Sequence, residues 1–310
     1  MKRSEKKVLI CLPESLGLCL STLPLLSALL QDKEAPSVWG MCQRDDFAQH
    51  ESRSDFEGWI ELPERQPGLL QAWRTGRLKH GAFDVFVDAS SHRRGVWAAW
   101  LAGIPMRVGL AGRSKVIDRL YTHLVSPISD AAWEHRLELL KPLELHPGLE
   151  VLPFQRQAAL PIAIRQYRES AHLTCQYVAI HTGNPRYTGS GWRSEDFGKV
   201  AKELGQRYQL PSLFLWHGES GRVRVRRAAA KSGGHGLVSP PLDLGEIAEL
   251  LRQSAAVISG DQDLLAISAE AGWIKSNPLA PVRQESIESV AIACHQSIVS
   301  APGQPVSKAA

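Results

Sequence analysis

Short apolar runs that end in polar turns recur along this chain and alternate with helical patterns. Val8–Leu12 and Phe83–Asp88 lie in the first half, and Tyr177–His181, Pro211–Trp216 and Ala255–Asp261 lie in the second. These runs lack the alternation of a half-exposed strand, so they predict strands buried on both faces of a parallel sheet. We expect Phe83–Asp88 and Tyr177–His181 to be central in their sheets. Strands that alternate with helices predict an α/β fold with right-handed crossovers.

A stretch without clear periodicity separates two such α/β halves. Residues 145–161 contain three prolines and a glycine. We therefore expect two Rossmann-like domains, residues 1–155 and 156–310, that face a cleft, where sheets of this type bind ligands. The tail from about residue 301 has the composition of a disordered segment.

The composition is typical of a soluble globular protein, with 44% hydrophobic and 22% charged residues in a chain of 310. The net charge of +4 allows an anionic substrate or membrane surface without requiring nucleic acid, and no nucleic-acid partner is expected. Five cysteines occur without C-x-x-C spacing, which predicts reduced thiols in a cytosolic protein. The sequence has no metal-ligand spacing, P-loop or G-x-S-x-G motif, so no metal site is expected.

The apolar run at the start of the chain, Val8–Leu30, follows several basic residues and could be mistaken for a signal peptide. Pro13, Glu14, Gly17 and Pro24 interrupt it, whereas a membrane span needs about 20 consecutive apolar residues. A first strand, a turn and a first helix with a kink at Pro24 explain the pattern better.

A series of short motifs, taken in order, resembles glycosyltransferase family 9, the ADP-heptose:lipopolysaccharide heptosyltransferases. The series begins with the strand Val8–Ile10 and the loop and helix Ser15–Leu26. The later motifs are Phe83–Ala89, Arg107–Gly109, His181–Trp192, Trp216–Glu219 and Gly260–Gly272. The order and spacing of the motifs carry the resemblance, which covers nearly the whole chain.

The resemblance implies a GT-B-type fold of two Rossmann-like domains. The first would bind a phosphorylated glycolipid acceptor, such as the lipopolysaccharide core, and the second a nucleotide-sugar donor similar to ADP-heptose. It further implies inverting transfer without a cofactor, in the cytoplasm or at the inner face of the inner membrane, with peripheral membrane contact. The reaction needs a base for the acceptor hydroxyl and positive charge or dipoles for the departing diphosphate.

Two charged groups of the family are missing at their expected positions. The catalytic aspartate of the first turn falls on Leu18, and Glu14 in the same turn is the candidate replacement. The lysine before the tryptophan falls on Ser190, where Arg186 or Arg193 could supply the charge instead. The alternative for each of these residues is an ordinary solvated turn residue.

The resemblance places the donor among residues of the second half and the acceptor among basic residues of the first. The candidate donor residues are Thr182, Gly183, Asn184, Arg186, Ser190, Glu219, Leu242, Asp261, Gln262 and Asp263. The candidate acceptor residues are Arg93, Arg94, Arg113 and Lys115. Within the donor set, Glu219 would hold ribose hydroxyls and Leu242 would pack on the base.

The segment after Gly260 departs furthest from the family. Gln262 and Asp263 stand for threonine and glycine, and Ala266 stands for histidine. A carboxylate at Asp263 would repel a diphosphate, although Asp263 is also a good candidate for the N-cap of the helix that follows.

Three interpretations remain open from the sequence. The protein is a divergent glycosyltransferase, a weakly active or inactive relative that serves as a binding or scaffold protein, or an unrelated nucleotide-binding α/β protein.

Overall fold

The computed structural model describes residues 6–31, 36–43, 56–62, 78, 81–90, 93–112, 114–126, 132–145, 169, 176–184, 192–270 and 286–300. The chain forms two compact units. The first comprises Met1–Glu14 and Leu18–Arg156, and the second comprises Ser15–Gly17 and Gln157–Ala310. Each unit is built around its own parallel sheet.

The first unit contains a six-stranded parallel sheet in the order β3-β2-β1-β4-β5-β6. Its strands are β1 (Lys7–Cys11), β2 (Ser37–Gln43), β3 (Gly58–Leu62), β4 (Val85–Asp88), β5 (Met106–Leu110) and β6 (His123–Val125). Its described helices are α2 (Leu23–Gln31), α3 (Arg93–Leu101), α4 (Lys115–Asp118), α5 (Ala132–Leu137) and a 3₁₀ helix (Glu138–Leu143). The short helix α1 (Leu16–Leu20) begins in the segment Ser15–Gly17, which is assigned to the second unit, and continues into the first unit from Leu18.

The apolar run of β1 explains why its strand is central. Val8 and Ile10 enter one core cluster, and Leu9 and Cys11 enter another on the opposite face of the sheet. All four side chains are at most 1% exposed. A strand with both faces covered requires apolar residues at consecutive positions, which is the pattern seen in the sequence.

Tryptophan and glycine alternate across the pairing of β2 with β3. Trp39 lies opposite Gly58, and Gly40 lies opposite Trp59. A Cβ atom at Gly40 would come within 2.1 Å of the Trp59 ring, and one at Gly58 within 2.5 Å of the Trp39 ring. Each glycine therefore makes room for the indole of the neighbouring strand, so side chains larger than hydrogen are excluded at both positions.

The second unit contains a four-stranded parallel sheet in the order β10-β7-β8-β9. Its strands are β7 (Val178–His181), β8 (Ser212–Leu215), β9 (Gly236–Val238) and β10 (Ala256–Ser259). Its described helices are α6 (Ser194–Tyr208), α7 (Gly218–Ala229), α8 (Leu244–Gln253), α9 (Gln262–Glu270) and α10 (Ile287–Val299).

The α/β fold class predicted from the sequence is confirmed, as are the central positions of two strands. β4 lies between β1 and β5, and β7 lies between β10 and β8. The single kinked helix predicted around Pro24 is wrong in detail. The chain forms α1 and α2 with a break at Ser21 and Thr22, and Pro24 occupies the first turn of α2, where its missing N–H costs nothing.

Among the described residues, none of the helices combines the length and the apolar character that crossing a bilayer requires.

Two buried helical glycines in the second unit give opposite expectations for alanine. A Cβ atom at Gly198 in α6 would lie 2.0 Å from the carbonyl oxygen of Ala228, whereas one at Gly221 in α7 would have its nearest neighbour at 3.7 Å. We predict that Gly198→Ala destabilises the protein by about 1–3 kcal/mol because α6 and α7 must separate. Gly221→Ala should instead stabilise it by up to about 1 kcal/mol through helix propensity.

Thermal denaturation of the two variants beside the wild type measures this difference. Equal effects of the two substitutions on the melting temperature would contradict the close approach of α6 to α7.

Candidate functional site

The carboxyl ends of β7 and β10 form the topological switch point of the second sheet. From β7 the chain proceeds to β8 and β9 on one side, and it returns to β10 on the other side. Ser259 at the end of β10 lies opposite His181 at the end of β7, and the Gly260 N–H donates to the carbonyl of His181 over 3.0 Å. Loops that leave adjacent strands in opposite directions create the crevice in which open α/β sheets bind ligands.

The candidate donor residues at 182–184 and 261–263 lie in the two turns that leave these strands. Thr182 and Gly183 are buried, and Gly183 has a φ of +68°, a conformation that favours glycine. The turns are packed closely, since a Cβ atom at Gly260 would lie 2.8 Å from the Thr182 carbonyl oxygen. The structure therefore brings together two of the sequence segments named as donor residues.

Asp261 caps helix α9. Its Oδ1 accepts the N–H of Asp263 over 3.0 Å and that of Leu264 over 3.2 Å, which are donors of the first helical turn. The alternative that Asp263 is the N-cap is therefore wrong, because helix α9 already begins at Gln262. Gln262 and Asp263 lie in the first turn with exposed side chains.

The segment Ser15–Gly17, which belongs to the second unit, completes the surroundings of Asp261. The Ser15 hydroxyl lies within 3.0–3.3 Å of both carboxylates, Asp261 and Asp263, and the Gly17 N–H donates to Asp261 Oδ2 over 3.3 Å. A Cβ atom at Gly17 would lie 2.0 Å from the backbone nitrogen of Leu264, so only glycine fits there.

Burial and hydrogen bonding act on the Asp261 carboxyl in opposite directions. Desolvation raises its pKa, and the hydrogen bonds from Gly17, Leu264, Ser15 and Asp263 oppose that rise. The start of α9 thus carries two carboxylates, one of which already occupies backbone donors that a ligand phosphate would otherwise use.

Two buried histidines to which the sequence pattern assigned no role lie at the end of β7 and just beyond the end of β8. His181 is the last residue of β7, and His217 precedes helix α7. Desolvation lowers the pKa of each to about 3, and the charge of Arg224 contributes for His181. His181 Nδ1 lies 3.4 Å from Ser259 Oγ. Both imidazoles are therefore neutral at physiological pH, and the sequence signal for them was a histidine at or just after the end of an apolar run.

The first turn of α7 holds Glu219 in an ion pair. Its carboxylate lies 2.8 Å from the Arg222 guanidinium, which is 6.0 Å from the centre of the Trp216 ring. The Trp216 indole is fixed by a 2.9 Å hydrogen bond to the Ser239 carbonyl. Glu219 is exposed and Leu242 is buried, so the two residues predicted to hold the ribose and the base differ in accessibility.

Candidate residues of the first unit lie at the corresponding end of its sheet. Glu14 is half-buried and follows β1, and β1 is the neighbour of β4 in the sheet. Arg93 is exposed and Arg94 half-buried at the start of α3, and Lys115 is exposed at the start of α4. The remaining candidates, Arg113, Arg186 and Ser190, lie outside the described residues.

A buried aspartate, Asp88, lies at the same end of the sheet of the first unit. Asp88, the last residue of β4, accepts the Ser90 N–H over 2.9 Å, the Ser90 hydroxyl over 2.6 Å and the Tyr121 hydroxyl. These contacts hold the turn that precedes α3. Within the described part of the chain, no group of three histidine, cysteine or acidic side chains could hold a metal ion.

The two buried histidines should make the protein sensitive to acid. Their pKa of about 3 in the folded state lies below the ordinary value of 6.5, so the unfolded chain binds more protons between these values. The contribution of the two neutral histidines to the free energy of unfolding should be complete above about pH 6.5. Between about pH 6.5 and pH 3 the free energy of unfolding should fall by about 1.4 kcal/mol per pH unit for each histidine.

Urea denaturation between pH 7.5 and 5 tests this prediction. His217→Gln should reduce the slope of unfolding free energy against pH, whereas the control His123→Gln, at an exposed position on β6, should retain it. An unchanged slope in the His217 variant would rule out its contribution.

Comparison with known proteins agrees with the fold. Residues 73–270 match the family model described as glycosyltransferase family 9 (heptosyltransferase). A glycosyl transferase family 9 structure from Veillonella parvula matches with a TM-score of 0.62 and 15% identity, over 96% of this chain and 99% of that one. A search of curated proteins gives no match.

Two Escherichia coli structures share the fold at similarly low identity. Heptosyltransferase WaaC with ADP-2-deoxy-2-fluoro heptose matches with a TM-score of 0.61 and 17% identity, over 94% of this chain and 99% of that one. ADP-heptose lps heptosyltransferase II matches with a TM-score of 0.58 and 12% identity, over 94% and 98%. With a family model that matches well over half of its residues, this chain belongs to glycosyltransferase family 9.

Proposed function

We propose that this protein transfers a sugar from a nucleotide-sugar similar to ADP-heptose to an acceptor in the lipopolysaccharide core or another envelope glycan, with inversion. The observation that carries the proposal is the close approach of Thr182 and Gly260, where the turns to Asn184 and Asp263 begin at the switch point of the second sheet. Family membership and the ADP-sugar in the WaaC structure support the donor class.

In the proposed reaction the acceptor hydroxyl oxygen attacks the anomeric carbon of the donor. The new glycosidic bond forms as the bond from that carbon to the diphosphate oxygen breaks, and the nucleoside diphosphate leaves with the electron pair. The hydroxyl proton passes to a base, for which Glu14 is our candidate. Arg93, Arg94 and Lys115 are our candidates for binding phosphate groups of the acceptor.

One observation favours the second candidate function, a binding or scaffold protein that has lost the transfer reaction. Asp261 and Asp263 place two carboxylates at the start of α9, and Ser15 and Gly17 already bind them. A diphosphate at this helix end would meet negative charge instead of free N–H donors, which disfavours binding.

A screen with ADP-, UDP- and GDP-sugars distinguishes the two functions. A donor present at 100 times its dissociation constant stabilises the folded protein by about 2.7 kcal/mol, which raises the melting temperature by several degrees. We expect a shift with ADP-sugars. No shift with any of the three nucleotide classes at millimolar concentration would reject the transferase in favour of the scaffold.

Replacement of the candidate base should abolish most of the transfer. Glu14→Gln keeps the size of the side chain and removes its basicity, so the turnover number should fall by about 100-fold or more while donor binding is retained. The control Glu134→Gln changes a carboxylate on α5 in the same unit and should leave turnover unchanged. An active enzyme whose rate is insensitive to Glu14→Gln uses another base.

Removal of one carboxylate at the start of α9 should improve nucleotide binding. Asp263→Asn eliminates a negative charge, and relief of about 1 kcal/mol of repulsion would tighten ADP binding about fivefold. Calorimetric titration at low salt measures the gain, which should shrink at about 0.5 M salt because the interaction is screened.

The matched control for this titration is Glu288→Gln. Glu288 is likewise a first-turn carboxylate of a helix in the second unit, α10, and it pairs with Arg207. If Asp263→Asn leaves ADP affinity unchanged while the wild type binds well, the diphosphate contacts other groups.

A further inference from the structure

Most of the large apolar side chains that remain exposed lie in one layer of the first unit. Of the six such side chains among the described residues, Trp97, Trp100, Val116 and Leu124 are 36%, 47%, 64% and 45% exposed. Trp97 and Trp100 lie on α3, Val116 on α4 and Leu124 on β6. Single exposed apolar residues are ordinary, but a cluster of this kind marks an interaction surface.

The helices α3 and α4 pack on the same side of the six-stranded sheet. Val96 of α3 and Ile117 of α4 enter the same core cluster. Val125 of β6 packs against the cluster on the opposite side, so the alternation of side chains along the strand directs Leu124 towards the layer of α3 and α4. We call the outward side of α3, α4 and Leu124 the α3–α4 face.

The two tryptophans of α3 and Arg93 share one side of that helix. Gly95, Val96, Ala98 and Ala99 are buried against the sheet. Arg93, Trp97 and Trp100 are spaced by four and three positions and therefore project together on the exposed side. The two indole rings contact each other edge to face with centroids 5.7 Å apart. Two amphipathic aromatic side chains are thus held outward beside a cation.

The charges on the α3–α4 face are nearly all positive. Arg93 and Arg94 begin α3, and Lys115 and Arg119 lie at the two ends of α4. Asp118 is the acidic residue of α4, and its carboxylate accepts the Gly112 N–H over 3.3 Å. The helix α3 contains no acidic residue.

We propose that the α3–α4 face docks on the surface of an anionic lipid bilayer. Tryptophan prefers the boundary between hydrocarbon and water, where its ring is buried and its N–H stays hydrated. Lysine and arginine next to it are attracted by anionic headgroups. Val116 and Leu124 would enter the same boundary, and no membrane span is needed for such binding.

The other occupants fit the face less well. A second copy that used the same face in a symmetric dimer would place its four cations against the four cations of its partner. A nucleic-acid backbone would match the cations but would leave Val116 and Leu124 exposed to water. A lipid surface satisfies both the charge and the apolar residues.

Sedimentation of the full chain with vesicles tests the proposal. The wild type should sediment with vesicles of phosphatidylcholine containing about 30% phosphatidylglycerol, less with phosphatidylcholine alone, and less at high salt. Trp97→Ser with Trp100→Ser should weaken binding by about tenfold or more because apolar area is lost from the boundary. Val223→Ser removes an exposed apolar side chain from α7 in the second unit and should bind as the wild type does.

A second pair of substitutions guards against a folding defect in the tryptophan variant. Lys115→Gln with Arg119→Gln leaves the apolar residues in place and should reduce binding to anionic vesicles while binding to neutral vesicles is unchanged. Circular dichroism and melting temperatures should match those of the wild type in all variants, since the altered side chains are exposed.

Three results would overturn the proposal. The first is a wild type that fails to sediment with anionic vesicles, and the second is vesicle binding that neither pair of substitutions weakens. The third is a dimer in analytical ultracentrifugation, or binding to an RNA oligonucleotide, that the tryptophan variant loses while no vesicle binding occurs. The vesicles contain no glycolipid and the assay contains no nucleotide, so its outcome is independent of the proposed transfer reaction.

Discussion

The parallel pairing of β7 with β10 is the constraint on which the candidate site depends. It places His181 opposite Ser259, residues 78 positions apart in the chain, and so brings the turns at Thr182 and Gly260 together. The approach is close enough that Gly260 tolerates no side chain. A shift of one residue in this register would reverse the faces of every side chain on β10. The turn from β7 would then lose its close contact with Gly260.

The hydrogen bonds of Asp261 stabilise the start of α9 and at the same time occupy N–H donors that a ligand could use. Its carboxylate accepts backbone N–H groups of Asp263 and Leu264 and a further one from Gly17. An N-cap of this kind stabilises a helix by about 1 kcal/mol. The same contacts occupy donors and add negative charge where helix ends elsewhere attract phosphate. Stability and diphosphate binding therefore compete at this end of α9.

The fold was largely accessible from the sequence because it depends on hydrophobic pattern. The uninterrupted apolar runs at β4 and β7 required strands covered on both faces, and the structure places both centrally. Local hydrogen bonds were harder to predict. Asp261 and Asp263 are both good N-cap residues, and only the backbone position at which α9 begins decides between them. The tryptophan–glycine pairs of β2 and β3 depend on register, which no local pattern contains.

The residues His217 and Glu219, on either side of the start of α7, show a different limit of sequence analysis. His217 precedes a helix as an N-cap would, yet no capping hydrogen bond from its side chain forms, and burial keeps its imidazole neutral. Glu219 carries the charge expected of a ribose ligand but is paired with Arg222 in the same helical turn. Burial and pairing of this kind arise from packing after the strands are assembled. The sequence therefore gives the chemical groups at these positions, whereas their charge states and partners follow only from the packing.

The distribution of charge within the second unit bears on where a diphosphate would bind. The carboxylates of Asp261 and Asp263 lie at the β10 side of the switch point, at the start of α9. The cations Arg222 and Arg224 lie on α7, which follows β8 on the other side of β7, and the charge of Arg222 is offset by its ion pair with Glu219. Arg224 is near enough to His181 to lower the pKa of that imidazole. Because Arg224 acts on the His181 end of β7 while the two carboxylates lie on the β10 side, electrostatics favour phosphate oxygens near the turn of β7 over the start of α9. A donor held there would need neither the lysine replaced by Ser190 nor free N–H groups on α9, so the loss of those groups does not by itself exclude transfer.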